Sequence, residues 1–374
     1  MWKHRDTSNE NNKLRYFTGS AYDYIGLVNT GGSETGVFIG MNEAGFSIMN
    51  TATYNLFDSG DGKKGRSPGS FMALALSQCG SLKDFENILD TISRTTGLSS
   101  NFGVIDGFGG AAYYEVGDTS WIKIDVNDPL QAPLGFIVRT NYSFSGDPAK
   151  GKGYARYITA YDLFYRNSLI NNLNVSTILR EADRSLYNSY TRDDLKSKAT
   201  EEDEIRLVHF VDNIARKNST ACAVIRGIRA GDQPSSSTMW AIIGWPLSSV
   251  AYPVWLNPDH MLPEILTASE GATAPVCDIS LELKKRCFPA EYESGPDYLD
   301  INRIFNDNGT GYLQWMLPLE EEILNLSAKE MIEWDGRMPS TRQAEQLYKN
   351  IDKLIFNEYR VHEPELTTKY IKEK

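Results

Sequence analysis

The sequence predicts an α+β protein in which two antiparallel β-sheets pack face to face between helices, as a four-layer αββα sandwich with a helical C-terminal extension. Strand-like blocks at 22–56, 101–142 and 220–257 alternate with blocks that are mainly helical. This order is typical of packed sheets that are covered by helices. No internal repeat or low-complexity linker interrupts the chain, and its 374 residues are enough for one large domain.

The first strand block begins as a β-meander over residues 22–56. Its strands are joined by the turn "NEAG", in which we expect Gly45 to adopt a positive φ. Ser67 is predicted to cap a helix whose first residue is Pro68, and a second helix is predicted at 82–94. Further strands are predicted in "NFGVID", "GAAYYEVG", "SWIKIDV" and "GFIVRTNY".

Residues 150–217 are predicted to be mainly helical. Thr200 and Asp203 resemble a capping box. Apolar residues recur after them at helical spacing: Ile205, Val208, Val211 and Ile214. Long strands are then predicted in "TACAVIRGIRA", "STMWAIIGW" and "SVAYPVWLN".

The chain from 258 to 374 is predicted to extend a sandwich domain formed by residues 1–257. Its clearest helix begins at Ser340, which forms a capping box with Gln343. The apolar residues of this helix share one face: Ala344, Leu347, Ile351 and Leu354. We therefore expect the extension to pack on the sandwich by its apolar face rather than to form a second catalytic domain.

Composition argues against several classes of protein. The net charge is −11, whereas nucleic-acid-binding proteins carry a basic face that neutralises phosphates. No apolar run approaches the roughly 18–20 residues that span a bilayer, so we expect no membrane span. The four cysteines show no metal-ligand spacing, and we expect neither a metal nor another cofactor. The composition leaves open whether the protein forms a homo-oligomer.

No catalytic nucleophile is indicated by the residues alone. The four histidines occur in neither a G-x-S-x-G nor an H-E-x-x-H pattern. Cys79 lies in the last turn of a predicted helix, where the helix dipole disfavours a thiolate, and Cys222 lies in an apolar run. Cys277 and Cys287 flank a predicted helix about 15 Å long, so a disulfide between them would require that helix to break.

Five segments, taken in order, indicate a family. They are "KHRD" at 3–6, "NEAGFSIMN" at 42–50, "NFGVIDGFGGAAYYEVG" at 101–117, "VRTNYSF" at 138–144 and "GYARY" at 153–157. Together they resemble the N-terminal-nucleophile hydrolases of the choloylglycine hydrolase and acyl-coenzyme A:6-aminopenicillanate acyltransferase group. The resemblance extends from residue 1 to about 256. It implies the αββα fold of that family.

The resemblance also implies the chemistry. In this family a cysteine at the start of the mature chain is the nucleophile, and its α-amino group is the base. An α-amino group has a pKa of about 7.7–8, close to working pH, so no histidine is needed. "KHRD" matches the family's second strand, which places the strand with the cysteine upstream of Met1. The chain as given is therefore expected to bind acyl amides without cleaving them.

The resemblance implies roles for residues near the start of the chain. Lys3 and Asp6 match the family's basic-x-x-Asp element, in which His4 replaces the usual asparagine. Asp6 is implied to be catalytic, because it would hold the ammonium group or orient the cysteine. Lys3 and Asn50 are implied to contact the substrate, with Asn50 as a second donor to the oxyanion.

Two further catalytic residues are implied in the middle of the chain. Asn141, in "RTN", matches the asparagine whose amide group donates to the developing oxyanion, and Arg156, in "GYARY", matches the arginine beneath the site. The residue types alone leave other roles open. Asp6 could be a solvated carboxylate at a strand end, Asn141 the first residue of a turn, and Arg156 a surface cation.

The implied activity is that of a hydrolase or acyltransferase on linear non-peptide amides. Conjugated bile salts, N-acyl amino acids and penicillin-type side chains are substrates of this kind, cleaved through a cysteine thioester. The alternative is an inactive protein of the same fold that binds an acylated ligand or a partner. An upstream signal peptide would direct the protein to the periplasm or outside the cell, and without one we expect it in the cytoplasm.

Overall fold

The computed structural model describes residues 1–56, 67–92, 98–290 and 292–371. Its strands are β1 (Trp2–Asp6), β2 (Asn12–Phe17), β3 (Tyr24–Asn29), β4 (Val37–Asn42), β5 (Ser47–Ala52), β6 (Ser100–Ile105), β7 (Ala111–Val116), β8 (Trp121–Asp125), β9 (Tyr187–Asn188), β10 (Asp193–Asp194), β11 (Leu207–His209), β12 (Ser219–Arg226), β13 (Thr238–Ile243), β14 (Tyr252–Trp255) and β15 (Tyr298–Asp300). Its helices are α1 (Pro68–Gln78), α2 (Leu82–Thr91), α3 (Tyr154–Leu169), α4 (Val175–Thr177), α5 (Pro275–Arg286), α6 (Tyr312–Trp334), α7 (Thr341–His362) and α8 (Pro364–Tyr370).

The larger sheet is an antiparallel meander of seven strands in the order β2-β3-β4-β5-β6-β7-β8. Gly45 turns the chain between β4 and β5 with a φ of 77°, which confirms the predicted conformation. Helices α1 and α2, inserted between β5 and β6, cover one face. Phe71 and Phe85 from these helices pack on Phe102 of β6 with ring centroids 5.3 and 6.0 Å away.

In the smaller sheet, the first strand of the chain pairs with a strand from the middle of the sequence. Its strand order is β1-β12-β13-β14, and β1 is an outer strand among the described residues. His4 lies opposite Cys222 in the antiparallel pair, and the register shifts between Arg5 and Asp6. Residues of β2, β3 and β4 share one buried cluster with residues of β12 and β13, so the two sheets pack face to face.

The C-terminal helices cover the outer face of the smaller sheet. Trp255 of β14 packs edge-to-face against Trp334 of α6, and Tyr252 donates a 2.7 Å hydrogen bond to Asp352 of α7. The predicted four-layer αββα order with a helical C-terminal region is therefore confirmed. The division into domains at residue 257 stays a prediction. Within the described residues, no helix combines the length and the apolar character that crossing a membrane requires.

The predicted capping signals at 67 and 340 are confirmed. The Ser67 side chain accepts from the backbone N–H of Ser70, with Pro68 as the first residue of α1. Ser340 and Gln343 satisfy each other's backbone N–H groups at the start of α7. Helix α5 is continuous, and the cysteines at its two ends are free.

The helix predicted after Thr200 is wrong. Residues 207–209 form β11, which pairs with β15, so His209 lies opposite Tyr298 rather than on a helix. Asn302 explains the difference, because its side chain accepts from the Thr200 backbone N–H and donates to carbonyl groups of the same loop. A tertiary contact thus occupies the backbone groups that a helix cap would have used.

The strand predicted in "GFIVRTNY" is also wrong. Residues 136–140 have no regular sheet pairing, and Asn141 forms a single isolated bridge with Lys152. The sequence pattern of this segment is that of a strand, but β8 is the last strand of the larger sheet, and it precedes the segment in the chain. The segment therefore lies without a strand neighbour, beside the cavity described below.

Candidate active site

A cavity of about 640 Å³ runs along the free edge of β1. All residues from Met1 to Thr7 line it, as do all residues from Gly135 to Asn141. Successive side chains of a strand point to opposite faces, so a cavity that contacts every residue of β1 must follow its edge. The five residues singled out from the sequence all line this cavity: Lys3, Asp6, Asn50, Asn141 and Arg156.

Asp6 forms the centre of a charged network on one face of β1. Its carboxylate accepts from Arg216 Nη2 at 2.6 Å and from Ser219 Oγ at 2.8 Å, and His4 Nε2 lies 3.5 Å away. Burial by itself raises the pKa of Asp6, but the hydrogen bonds and positive charges of His4 and Arg216 outweigh it and hold that pKa well below its usual range. Asp6 is therefore an anion at any working pH.

Arg156 connects Asp6 to Asn141. Its Nη2 donates to Asn141 Oδ1 at 2.8 Å, and its Nη1 lies 3.8 Å from Asp6 Oδ2. The amide nitrogen of Asn141 donates to the Ala52 carbonyl at 3.0 Å, which leaves its second N–H for another acceptor. Burial lowers the pKa of Arg156 to about 10, as does nearby Arg216, with Asp6 opposing.

Gly153 makes room for this guanidinium. It precedes α3 with a φ of 83°, a conformation that favours glycine. A Cβ atom at this position would lie 2.4 Å from Arg156 Nη2. The glycine of "GYARY" thus lets the arginine fold back over the start of its own helix.

Lys3 lies on the opposite face of β1 from Asp6. Its amino group donates to Asn50 Oδ1 at 2.9 Å and also to the Asn50 carbonyl oxygen. The Asn50 amide nitrogen donates to Ser100 Oγ at 3.3 Å. Burial lowers the pKa of Lys3 to about 7, with Arg5 adding to the effect and Asp6 opposing it. Lys3 and Asn50 therefore act as one unit that joins the two sheets.

His4 belongs to a buried cluster that sequence reasoning missed. Its Nδ1 lies 2.6 Å from Asp183 Oδ1 and its Nε2 lies 2.6 Å from Ser219 Oγ. Trp2 Nε1 donates to the same Asp183 oxygen at 3.2 Å. Burial alone lowers the pKa of His4, but the Asp183 charge and hydrogen bond, together with Asp6, raise it to about 9. His4 is therefore an imidazolium between the carboxylates of Asp183 and Asp6.

Arg216 and Asp183 had no local sequence signal. Arg216 lies at the end of the segment 150–217, which is predicted only to be mainly helical, and Asp183 follows the π-helical turn Ile178–Ala182 after α4. Each meets β1 only through the tertiary fold, across more than 170 positions of the chain. Charged residues close to Asp6 in the sequence therefore gave no indication of Arg216 or Asp183.

The cavity wall away from these polar groups is apolar. Its side chains come from residues 136–138, α3 and the loops near 173–214: Phe136, Val138, Ala160, Phe164, Leu173, Ile178 and Ile214. Phe164 contacts Trp2 and Phe136, with ring centroids 5.6 Å away in each case. The site therefore combines amide and guanidinium donors with room for an apolar group.

The cysteines of the chain do not take part in this site. All four are buried, and none lines the cavity. Burial raises the pKa of Cys79 and of Cys277 to about 12, and it raises the pKa of Cys222 and Cys287 well above the ordinary thiol value. None of them is a thiolate near neutral pH, so none is an activated nucleophile.

Comparison with known proteins gives structural similarity only. No protein-family profile and no curated protein sequence matches this chain. Penicillin V acylase from Agrobacterium tumefaciens is 13% identical, with a TM-score of 0.40 over 68% of this chain and 81% of that one.

Two further solved structures are a hydrolase and an amidase by name. A variant of conjugated bile acid hydrolase from Clostridium perfringens is 10% identical, with a TM-score of 0.37 over 67% of this chain and 86% of that one. The Caenorhabditis elegans orthologue of N-acylethanolamine-hydrolyzing acid amidase is 18% identical, with a TM-score of 0.35 over 48% and 82%. All three similarities are of low identity and low TM-score.

Proposed function

We propose that this protein is a hydrolase or acyltransferase of linear non-peptide amides. The observation that carries the proposal is the division of one cavity into a polar and an apolar part. Arg156, Asn141 and Asn50 supply hydrogen-bond groups on one side, and the apolar wall around Phe164 lies on the other. An amide substrate has the same division, with a polar carbonyl and amine joined to an apolar acyl group.

In this proposal the oxyanion is stabilised by groups that are already oriented. Arg156 holds the Asn141 amide through its oxygen, and the Ala52 carbonyl accepts one of its N–H groups, so the second N–H is left for the substrate oxygen. A donor that is fixed before the reaction costs no reorganisation in the transition state. Losing one such donor typically costs about 10²–10³ in rate.

The proposed nucleophile is a cysteine on a strand that lies along β1, outside the described residues. Two features of the described part of the chain support this position: β1 is paired on one side only, and residues 136–140 have no sheet pairing. The thiolate sulfur would form a bond to the acyl carbon while the C–N bond breaks and the amine leaves with a proton. Water or a second amine would then release the acyl group from the thioester.

The test has a genetic and an enzymatic part. The DNA upstream of Met1 should contain an open reading frame for a strand that begins with cysteine. The extended protein should hydrolyse N-octanoyl amides, and its Cys→Ala variant should bind them without turnover. An extended protein that is inactive on acyl amides, or a stop codon directly before Met1, would contradict the hydrolase.

The second candidate is a protein that binds an acylated ligand without cleaving it. The observation in its favour is that all four cysteines are buried and have raised pKa values. It predicts that the chain as printed binds N-octanoyl amides and that an added cysteine strand gives no turnover. Calorimetric binding and amine release, measured on the same preparations, separate the two functions.

A further inference from the structure

Lys3, which is half-buried, differs from two buried lysines in the kind of partner it has. Lys13 lies 2.8 Å from Glu34, and Lys284 forms an ion pair with Glu10. Lys3, in contrast, donates only to the two uncharged oxygens of Asn50 among its hydrogen bonds in the described part of the chain. Its amine is therefore partly buried in a cavity wall without a carboxylate in direct contact.

The surroundings of Lys3 suit a neutral amine. A neutral amine has two N–H groups and one lone pair, whereas an ammonium has three N–H groups. Asn50 supplies two acceptors, which satisfy both N–H groups and leave the lone pair unused. The charge of Arg5, two residues along the same face, disfavours a second cation, and the lowered pKa of Lys3, about 7, agrees with this.

We propose that Lys3 is a nucleophilic amine that binds aldehydes with an aliphatic or aromatic tail as an imine. This ligand class is distinct from the acyl amides of the proposed function. The lone pair of Nζ attacks the carbonyl carbon, a C–N bond forms, and the carbonyl oxygen leaves as water after proton transfer. The C=N product needs no oxidant, and water reverses the reaction. The apolar wall that includes Phe136 and Phe164 lines the same cavity and receives the tail.

The experiment uses the full chain, octanal as the probe and cyanoborohydride to reduce any imine to a stable secondary amine. Peptide mass spectrometry after reaction at pH 7 locates the label. We expect Lys3 to carry at least about tenfold more label than any other lysine, because ordinary lysines with a pKa near 10.4 are almost fully protonated at that pH. The Lys3→Arg variant should lose this label, and the Lys13→Arg variant should keep it.

The pH dependence supplies a second measurement that needs no variant. Labelling of Lys3 should reach half of its maximal rate near pH 7, whereas labelling of a lysine with the ordinary pKa of about 10.4 should still rise near pH 10. Label spread over exposed lysines with Lys3 not in excess, or a Lys3 midpoint near pH 10, would overturn the inference. Labelling requires no amide turnover, so failure of the hydrolase assay and failure of this inference are distinguishable.

Discussion

Asp6 and Asn141 meet at a single guanidinium. Arg156 donates to Asn141 at 2.8 Å and lies 3.8 Å from Asp6, so one side chain holds a carboxylate from β1 and an amide from an irregular segment. The position of the amide therefore depends on the position of the arginine. This dependence, together with the charges around β1, leads to four predictions.

Replacing Arg156 with alanine should weaken binding of an N-acyl amide by about ten- to a hundredfold. The reason is that a hydrogen bond to a charged group contributes about 1.5–3 kcal/mol, and without it Asn141 is free to reorient. Isothermal titration with N-octanoyl glycine measures the effect. Arg166→Ala, at an exposed position of the same helix, is the matched control and should bind as the wild type does. Equal affinities for both variants would contradict the role of Arg156.

Replacing Gly153 with alanine should destabilise the protein by about 1–2 kcal/mol and also weaken amide binding. The positive φ accounts for the loss of stability, and the new Cβ atom, 2.4 Å from Arg156 Nη2, accounts for the loss of binding. Gly109 is a close control, since its φ is 84° and no atom lies within 4 Å of an added Cβ. Gly109→Ala should therefore lose stability in urea unfolding but keep its affinity.

The stabilising effect of His4 should depend on pH. Its pKa is raised from 6.5 to about 9, so its contribution is fully present below pH 6.5 and is lost as pH rises through 9. The contribution is at most about 3 kcal/mol. Lys3, whose pKa is lowered from 10.5 to about 7, has the opposite dependence: the cost of burying its charge is lost as the pH rises through about 7 to 10.5.

Because His4 and Lys3 have opposite effects on stability, the effect of His4 is measured by comparing the wild type with a His4 variant. The free energy of unfolding of wild type minus that of His4→Asn should be largest near pH 6 and fall towards zero above pH 9. Lys3 is present in both proteins, so its opposite dependence on pH largely cancels in the difference. A difference that is constant from pH 6 to pH 10 would show that His4 is not charged in the native state.

Replacing Ala160 with leucine should change the acyl chain length that the cavity accepts. Ala160 is 3% exposed and lies in the apolar wall, so a larger side chain fills space that an acyl tail would occupy. We expect affinity for an octanoyl amide to fall about tenfold or more, given that each buried CH₂ contributes about 0.8 kcal/mol. Affinity for the acetyl amide should stay unchanged, and it is the internal control.

Sequence patterns predicted structure correctly where a short-range interaction decides it. Ser67 and Ser340 cap helices because each accepts from a backbone N–H three residues later, and Gly45 adopts its positive φ within a four-residue turn. The Thr200 pattern has the same local form, but Asn302 takes the backbone groups of that loop. A capping pattern alone cannot indicate whether a distant side chain competes for the same groups.

For the candidate site, the sequence named several of the residues but not the partners that they contact. The sequence motifs named Lys3, Asp6, Asn50, Asn141 and Arg156, and all five line one cavity. The partners of these groups were decided by the tertiary fold, which pairs β1 with β12 across some 200 residues.

The local sequence around β1 determined which titratable groups stand on each face, because strand geometry has a period of two. Only the tertiary structure decided the charge state of each group. Asp183 makes His4 a cation with a pKa of about 9, and Asn50 leaves Lys3 without a carboxylate and with a pKa of about 7. Electrostatic energies depend on distances of a few ångströms and on burial, which residues remote in sequence supply.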